Sequence, residues 1–246
     1  MQIPKLSLCT IVRDEVQNPA GGIVDFIAWA LPFVEQAVVI DTGSIDGTRA
    51  ILEEATKYYP HLQLYDHPFD GFAALRNYAL DQVKTEWVLV LDADERLWPS
   101  DFAFLSRCLA VQKEKDAFEV GFNHILPWNN SRVQESILID SMSVRIFKAG
   151  KGFVYLPRTE GYLRSPENLY LPRPHTPKCA AIPYPFSALV KAYDTYEKEG
   201  FQWCQDISGD LQISHFKPNF EGRQSKKEEL YEAHTPGDIP PVFTPS

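Results

Sequence analysis

The first half of the chain alternates short, unbroken apolar runs with longer stretches of helical spacing. The runs "LSLCTIV" (6–12), "AVVID" (37–41), "LQLYDH" (62–67) and "WVLVLDAD" (87–94) read as strands. Between them, a stretch around 23–34, then "GTRAILEEATKYYP" (47–60) and "GFAALRNYALDQVK" (71–84), read as helices. In the second of these, Ile51, Leu52, Ala55 and Tyr58/Tyr59 fall on one side, and Pro60 stops the helix. Strands of this length separated by helices predict βαβ units and a parallel sheet. Because the runs are continuously apolar, both faces of that sheet are expected to be covered.

After residue 100 the pattern becomes less regular. A helix around 100–113 precedes shorter strand-like pieces, "AFEVGFNHIL", "ILIDSMSVRIFK" and "GFVYL". "RIFKAGKGFVY" reads as a hairpin with Gly150 and Gly152 in its turn. Region 156–185 is proline-rich and reads as a loop or extended insertion, followed by a helix near 186–199 and the strand "LQISHF". "EGRQSKKEELYEAH" reads as a basic-then-acidic helix, and residues 235–246 as a mobile proline-rich tail. No composition break marks a boundary, so residues 1–234 are expected to form one α/β domain with a less regular second half (99–234).

Composition narrows the functional classes. The 246 residues are 44% hydrophobic and 13% aromatic, enough for a sizeable core. A net charge of −9 argues against nucleic-acid binding through a basic surface. Cys9, Cys108, Cys179 and Cys204 are widely spaced without a CxxC pair, and read as reduced thiols. The opening "MQIPKLSLCTIVRDE" runs straight into a strand, so a cytoplasmic chain without a signal peptide is expected. Asp25, Pro32, Glu35 and Gln36 interrupt the most apolar long segment, which therefore does not read as a membrane span; peripheral membrane contact stays open. Neither GxxxxGK[ST] nor a GxGxxG after the first strand occurs.

The candidate chemistry lies at the strand ends. Four strands finish in acid: Asp14/Glu15, Asp41, Asp66, and Asp92/Asp94. In a parallel sheet these ends share one edge, where ligands bind. Asp46 and Thr48 read either as part of that site or as caps of the following helix. Asp92 and Asp94, two apart, suit a hard divalent cation that keeps positions open for phosphate oxygens. Three readings use such a site: a phosphatase of the haloacid-dehalogenase type with Asp92 as nucleophile, a non-catalytic nucleotide or glycan binder, or transfer of a sugar from a nucleoside diphosphate donor.

"LSLCTIVRDE", "VVIDTGSIDGT", "FAALRNYAL" and "WVLVLDADE" occur in the order and at the distances found in family 2 glycosyltransferases, inverting enzymes of the GT-A fold. The resemblance covers roughly residues 5–97 and is closest to the bacterial type that builds envelope or cell-wall glycans. It implies a nucleotide-sugar-binding half (1–98) and an acceptor-binding half. Val12, Arg13, Asp14 and Glu15 would frame the base and ribose. Asp41 and Asp46 would contact the nucleoside, Arg76 would support the pocket or its acids, and Asp92 and Ala93 would join the donor site. Asp94 would ligate Mn²⁺ or Mg²⁺, with Asp92 in the metal's shell and His215 as a further ligand. Lys217 and Arg223 would clamp the diphosphate. UDP is the family's commonest donor nucleotide, and the acceptor would be a sugar, lipid-linked or other hydroxyl. The resemblance implies Glu160 as the general base, in "YLPRTEGY", with Thr159 where relatives carry His. Glu95 and Asp140 are the alternatives, and Trp98, Trp128, Phe153, Tyr155 and Tyr162 are candidates to stack on an acceptor sugar.

Overall fold

The computed structural model describes residues 2–16, 18, 22–126, 131–134, 144–151, 153–155, 182–183, 204–207 and 209–216. Its strands are β1 (Ile3–Val12), β2 (Val34–Asp41), β3 (Leu62–Asp66), β4 (Trp87–Val90), β5 (Glu95–Arg96), β6 (Ala117–Glu119), β7 (Gly121–Leu126), β8 (Ser131–Gln134), β9 (Val144–Lys148), β10 (Phe153–Val154), β11 (Ile182–Pro183), β12 (Cys204–Asp206) and β13 (Gln212–Phe216). The helices are α1 (Gly22–Ala30), α2 (Thr48–Tyr58), α3 (Phe72–Asp81) and α4 (Pro99–Val111), with a 3₁₀ turn at Leu31–Phe33.

A seven-stranded sheet runs in the order β12-β6-β9-β4-β1-β2-β3. Its β4-β1-β2-β3 portion is parallel, as the βαβ pattern requires. Val12 pairs with Asp41 and Asp41 with Asp66, so the expected acidic strand ends do share one edge. Strands β6, β9 and β12, from beyond residue 99, extend the same sheet, so the two halves of the chain are built into one layer.

Side-chain alternation explains why the strands are apolar throughout. Leu6 and Leu8 of β1, Ala37 and Val39 of β2, and Trp87 and Leu89 of β4 face one core, where α1, α2 and α4 add Phe26, Leu52 and Phe102. Cys9, Val38, Ile40, Val88 and Val90 face a second core, closed by Leu75 and Ala79 of α3 with Phe147, Phe153 and Tyr155. A four-stranded sheet, β5-β13-β7-β8, stands beside the main one.

Two expectations change. Strand β9 does not form a hairpin with β10; it lies antiparallel between β4 and β6, and β10 pairs with β11. The turn after β9 does form, with Gly150 at φ 72°. Apolar β9 is drawn into the main sheet because it can bury both faces there. Phe153 and Tyr155 are 8% and 2% exposed, so they are core residues and not stacking platforms. The expected helices near 186–199 and 221–234, the tail, Trp128, Asp140 and Tyr162 lie outside the described residues.

Cys9 and Cys108 are buried free thiols. Burial pushes the Cys9 thiol up to about 12, against a smaller opposing pull from Arg76. The folded state therefore holds this proton when the unfolded chain has lost it. The associated stability is present below pH 9.0 and is lost as pH rises toward 12. Native protein treated with a thiol reagent at pH 8 is expected to leave Cys9 unlabelled, whereas peptide mapping after unfolding finds it labelled. Labelling of Cys9 in the native state would contradict this burial.

Gly22 sits at φ +63°, and a Cβ there would lie 2.8 Å from the Glu15 carbonyl oxygen. Gly22→Ala is expected to destabilise the fold by about 2–3 kcal/mol, from left-handed strain plus the clash. Chemical denaturation checks it, and an unchanged midpoint would contradict the close approach.

Candidate functional site

The edge formed by the ends of β1, β2 and β4 carries two stitched loops. In the first, Asp14 holds a left-handed φ of 55°, a conformation that Asp tolerates better than most residues. Its amide donates to Ser44 Oγ at 3.1 Å, and its Oδ1 accepts the Ile45 amide at 2.8 Å. Asp41 Oδ1 accepts from the Gly43 amide, the Ser44 amide and the Ser44 hydroxyl, which closes the turn after β2. Both Asp46 oxygens are engaged: Oδ1 takes the Thr48 amide (3.0 Å) and hydroxyl (2.6 Å), and Oδ2 takes the Val16 amide (2.9 Å). Asp46 therefore bridges the first amide of α2 and the loop after β1. Thr48 Oγ1 in turn accepts from the Glu15 amide at 2.8 Å. Val12 is buried, and its carbonyl accepts from Thr42; Arg13 is exposed and lies 3.7 Å from Asp14. These bonds stitch residues 12–15 to residues 41–48 in one wall at this edge. The fourth acid, Asp66, is instead an exposed surface group paired with Arg49.

The second loop follows β4. Asp92 Oδ1 accepts from Arg76 Nη2, and Arg76 is only 5% exposed. Arg145 of β9 lies 3.9 Å from Asp92 and donates to Glu95 Oε1 at 2.7 Å. Glu95 Oε2 accepts the Asp92 amide at 2.8 Å, and the Glu95 amide returns a bond to the Asp92 carbonyl at 2.9 Å. Arg96 ties the same turn to α1 by donating to the Ala93, Glu95 and Gly22 carbonyls. Burial lowers the Arg96 pKa, opposed by Asp25 and Asp94. The costly cluster of acids at the end of a buried strand is thus balanced by three arginines.

Glu95 is 1% exposed with both oxygens engaged, so it is a structural brace and not an alternative general base. Ala93 is buried, whereas Asp92 and Asp94 are half-buried. In the backbone register, His215 of β13 pairs with Glu95, one residue from Asp94. The strand expected to supply a late metal ligand therefore does run beside the two aspartates. Among the described residues no three acid, His or Cys side chains gather as a metal set. A donor set of one or two carboxylates still fits Mg²⁺ or Mn²⁺, which retain water and take phosphate oxygens. Trp98, the one described stacking candidate on the rim, is 40% exposed and donates through Nε1 to Ser214 Oγ at 3.2 Å. Glu160, Lys217 and Arg223 lie outside the described residues.

Sequence reasoning missed Arg145 and gave Glu95 no partner. The available signal was a lone cation inside the apolar strand "SVRIFK", since an arginine in such a place needs a counter-charge.

The geometry makes a direct prediction. Glu95→Ala removes the partner of Arg145 and the acceptor of the Asp92 amide, with an expected loss of about 3–5 kcal/mol. Glu95→Gln keeps an acceptor and is expected to cost less. Urea denaturation of both variants checks this; a loss below about 0.5 kcal/mol in Glu95→Ala, typical of a surface site, would contradict it.

Residues 33–126 match the model of glycosyl transferase family 2. A TPR repeat-containing protein of Synechococcus elongatus is 40% identical over 93 residues, 38% of this chain and 21% of the relative. The lipopolysaccharide core biosynthesis glycosyltransferase LpsC of Rhizobium meliloti is 32% identical over 79 residues, 32% of this chain and 29% of the relative. The chain thus spans less than a third of the length of these curated relatives. Among solved structures, S. aureus TarS 1–349 in complex with UDP-GlcNAc aligns with a TM-score of 0.55 at 15% identity, over 93% of this chain and 64% of that one. TarS 1–349 alone aligns with a TM-score of 0.52 at 14% identity, over 86% and 60%. At these identities the likeness is one of fold. Residues 33–126 are thus similar to glycosyl transferase family 2, and the chain shares a fold of the GT-A type with these solved structures.

Proposed function

We propose that this chain is an inverting, metal-assisted glycosyltransferase that moves a sugar from a nucleoside diphosphate donor to a hydroxyl acceptor. The observation that carries the reading is the Asp92–Asp94 turn, held at the carboxyl edge of β4 by buried Arg76 and by Arg145. The wall of residues 12–15 and 41–48 beside it supports a nucleoside as the guest, because binding at this edge is the rule for open parallel sheets. UDP is the donor nucleotide to test first, since the aligned TarS structure holds UDP-GlcNAc. The LpsC match supports an acceptor in a cell-envelope glycan, free or lipid-linked.

In this reading residues 1–98 bind the donor and 99–234 the acceptor. Asp94 holds Mn²⁺ or Mg²⁺, with Asp92 in the metal's shell and His215 as a further ligand. A divalent ion there supplies charge neutralisation for the departing diphosphate. Arg76 keeps Asp92 aimed. Lys217 and Arg223 approach the diphosphate, and Glu160 takes the acceptor's proton. No described helix is long and apolar enough to cross a membrane.

Incubation with UDP-sugars and GDP-mannose in the presence of Mn²⁺ is expected to release the nucleoside diphosphate. Asp94→Ala should lower the rate by about 100-fold or more, the scale on which a lost electrostatic stabiliser acts. Unchanged turnover in Asp94→Ala would remove the metal role. Release of phosphate from simple phosphomonoesters, with no donor turned over, would favour the phosphatase chemistry instead.

A further inference from the structure

Beyond the donor site, α3 performs a second task through the residue next to Arg76. Asn77 Nδ2 donates to the Tyr155 carbonyl at 2.8 Å, and Asn77 Oδ1 accepts the Tyr155 amide at 2.7 Å. The side-chain amide thus copies the paired bonds that a neighbouring strand would offer. It does so where the ladder stops: β10 pairs with β11 through Phe153 and Val154, and Tyr155 is the next residue. Tyr155 is buried, so its backbone groups need partners within the protein. Asparagine is a poor choice for the middle of a helix on propensity alone, because its amide competes for backbone groups. In α3 it is half-buried and satisfies a segment 78 positions away.

The two tasks sit on successive residues. Arg76 holds Asp92, and Asn77 holds the backbone of Tyr155. Cys9 and Ala79 pack in the same core as Tyr155, so α3 is itself anchored against β1. A rigid helix that carries both bonds fixes the spacing between the acidic turn after β4 and the backbone of Tyr155.

We propose that Asn77 is a positioning residue, which sets the Tyr155 backbone at the end of β10 against the donor-side turn at Asp92. The proposal rests on the glycosyltransferase reading above. Asn77 touches neither of the two aspartates in the described bonds, so its loss should not disturb donor binding. Its effect should fall on the catalytic step, which is sensitive to displacements of about 1 Å.

The test compares wild type, Asn77→Ala and Asn77→Asp in the full chain. Nucleoside diphosphate release from the donor panel gives kcat and KM. The rise in Tm produced by UDP with Mn²⁺ reports binding. Asn77→Asp keeps an acceptor for the Tyr155 amide but sets a carboxylate against its carbonyl. It serves as the second variant should Asn77→Ala fold poorly. The expected result is a kcat lower by at least about tenfold in both variants, with donor KM and the UDP-induced Tm rise unchanged. Wild-type kcat in a variant overturns the proposal and leaves the glycosyltransferase reading intact. Loss of the UDP-induced Tm rise along with kcat also overturns it, by showing a general structural role. A wild-type protein that turns over no donor overturns the glycosyltransferase reading, and the proposal falls with it.

Discussion

The arrangement at the carboxyl edge of the sheet depends on charge compensation at the end of β4. A four-residue strand buried on both faces delivers a buried Glu95 and the half-buried Asp92 and Asp94 into one short turn. Three like charges there would repel one another and lose hydration. The structure resolves this with Arg76 from α3, Arg145 from β9 and the buried Arg96 of the turn itself. Each arginine comes from a different element. The acidic turn can therefore hold its shape only once the parallel sheet, the antiparallel β9 and helix α3 have packed together. Breaking one partner leaves an uncompensated charge, which is far more damaging than the pair is stabilising.

That dependence links folding to function. A turn held by cations keeps its carboxylates aimed before any ligand arrives, so little reorganisation is needed on binding. The two loops after β1 and β2 are pre-set in the same way. Asp14, Ser44, Asp46 and Thr48 exchange bonds across the loops, and a left-handed Asp14 is retained because its surroundings demand it. Helix α3 then connects the acidic turn after β4, through Arg76, to the backbone of Tyr155, through Asn77.

The parallel half of the fold was legible because its signals are local. Unbroken apolar runs such as "WVLVL" mark strands buried on both faces, and the strand-end acids mark the carboxyl edge of the sheet. Asp92 and Asp94 could be picked out for the same reason. What could not be read were pairings across long stretches of chain. Glu95 and Arg145 stand 50 positions apart, and Asn77 and Tyr155 stand 78 apart. Local spacing carries no information on such contacts. The hairpin expected at Gly150 failed for a related reason. Its turn residues form a turn, but they do not determine which strand β9 then pairs with, and burial between β4 and β6 decided that. Asp66 shows the opposite limit: the strand-end rule pointed to it, but its edge position leaves it at the surface with Arg49.

The central claim is that the turn after β4 takes up a nucleoside diphosphate together with a divalent ion. Calorimetric titration of UDP measures this without any need for the acceptor. The account predicts that UDP binds in Mn²⁺, and that chelation with EDTA or Asp94→Asn weakens binding by at least about tenfold, as the loss of about 1.4 kcal/mol would do. Equal UDP affinity with Mn²⁺, with EDTA and in Asp94→Asn would contradict it.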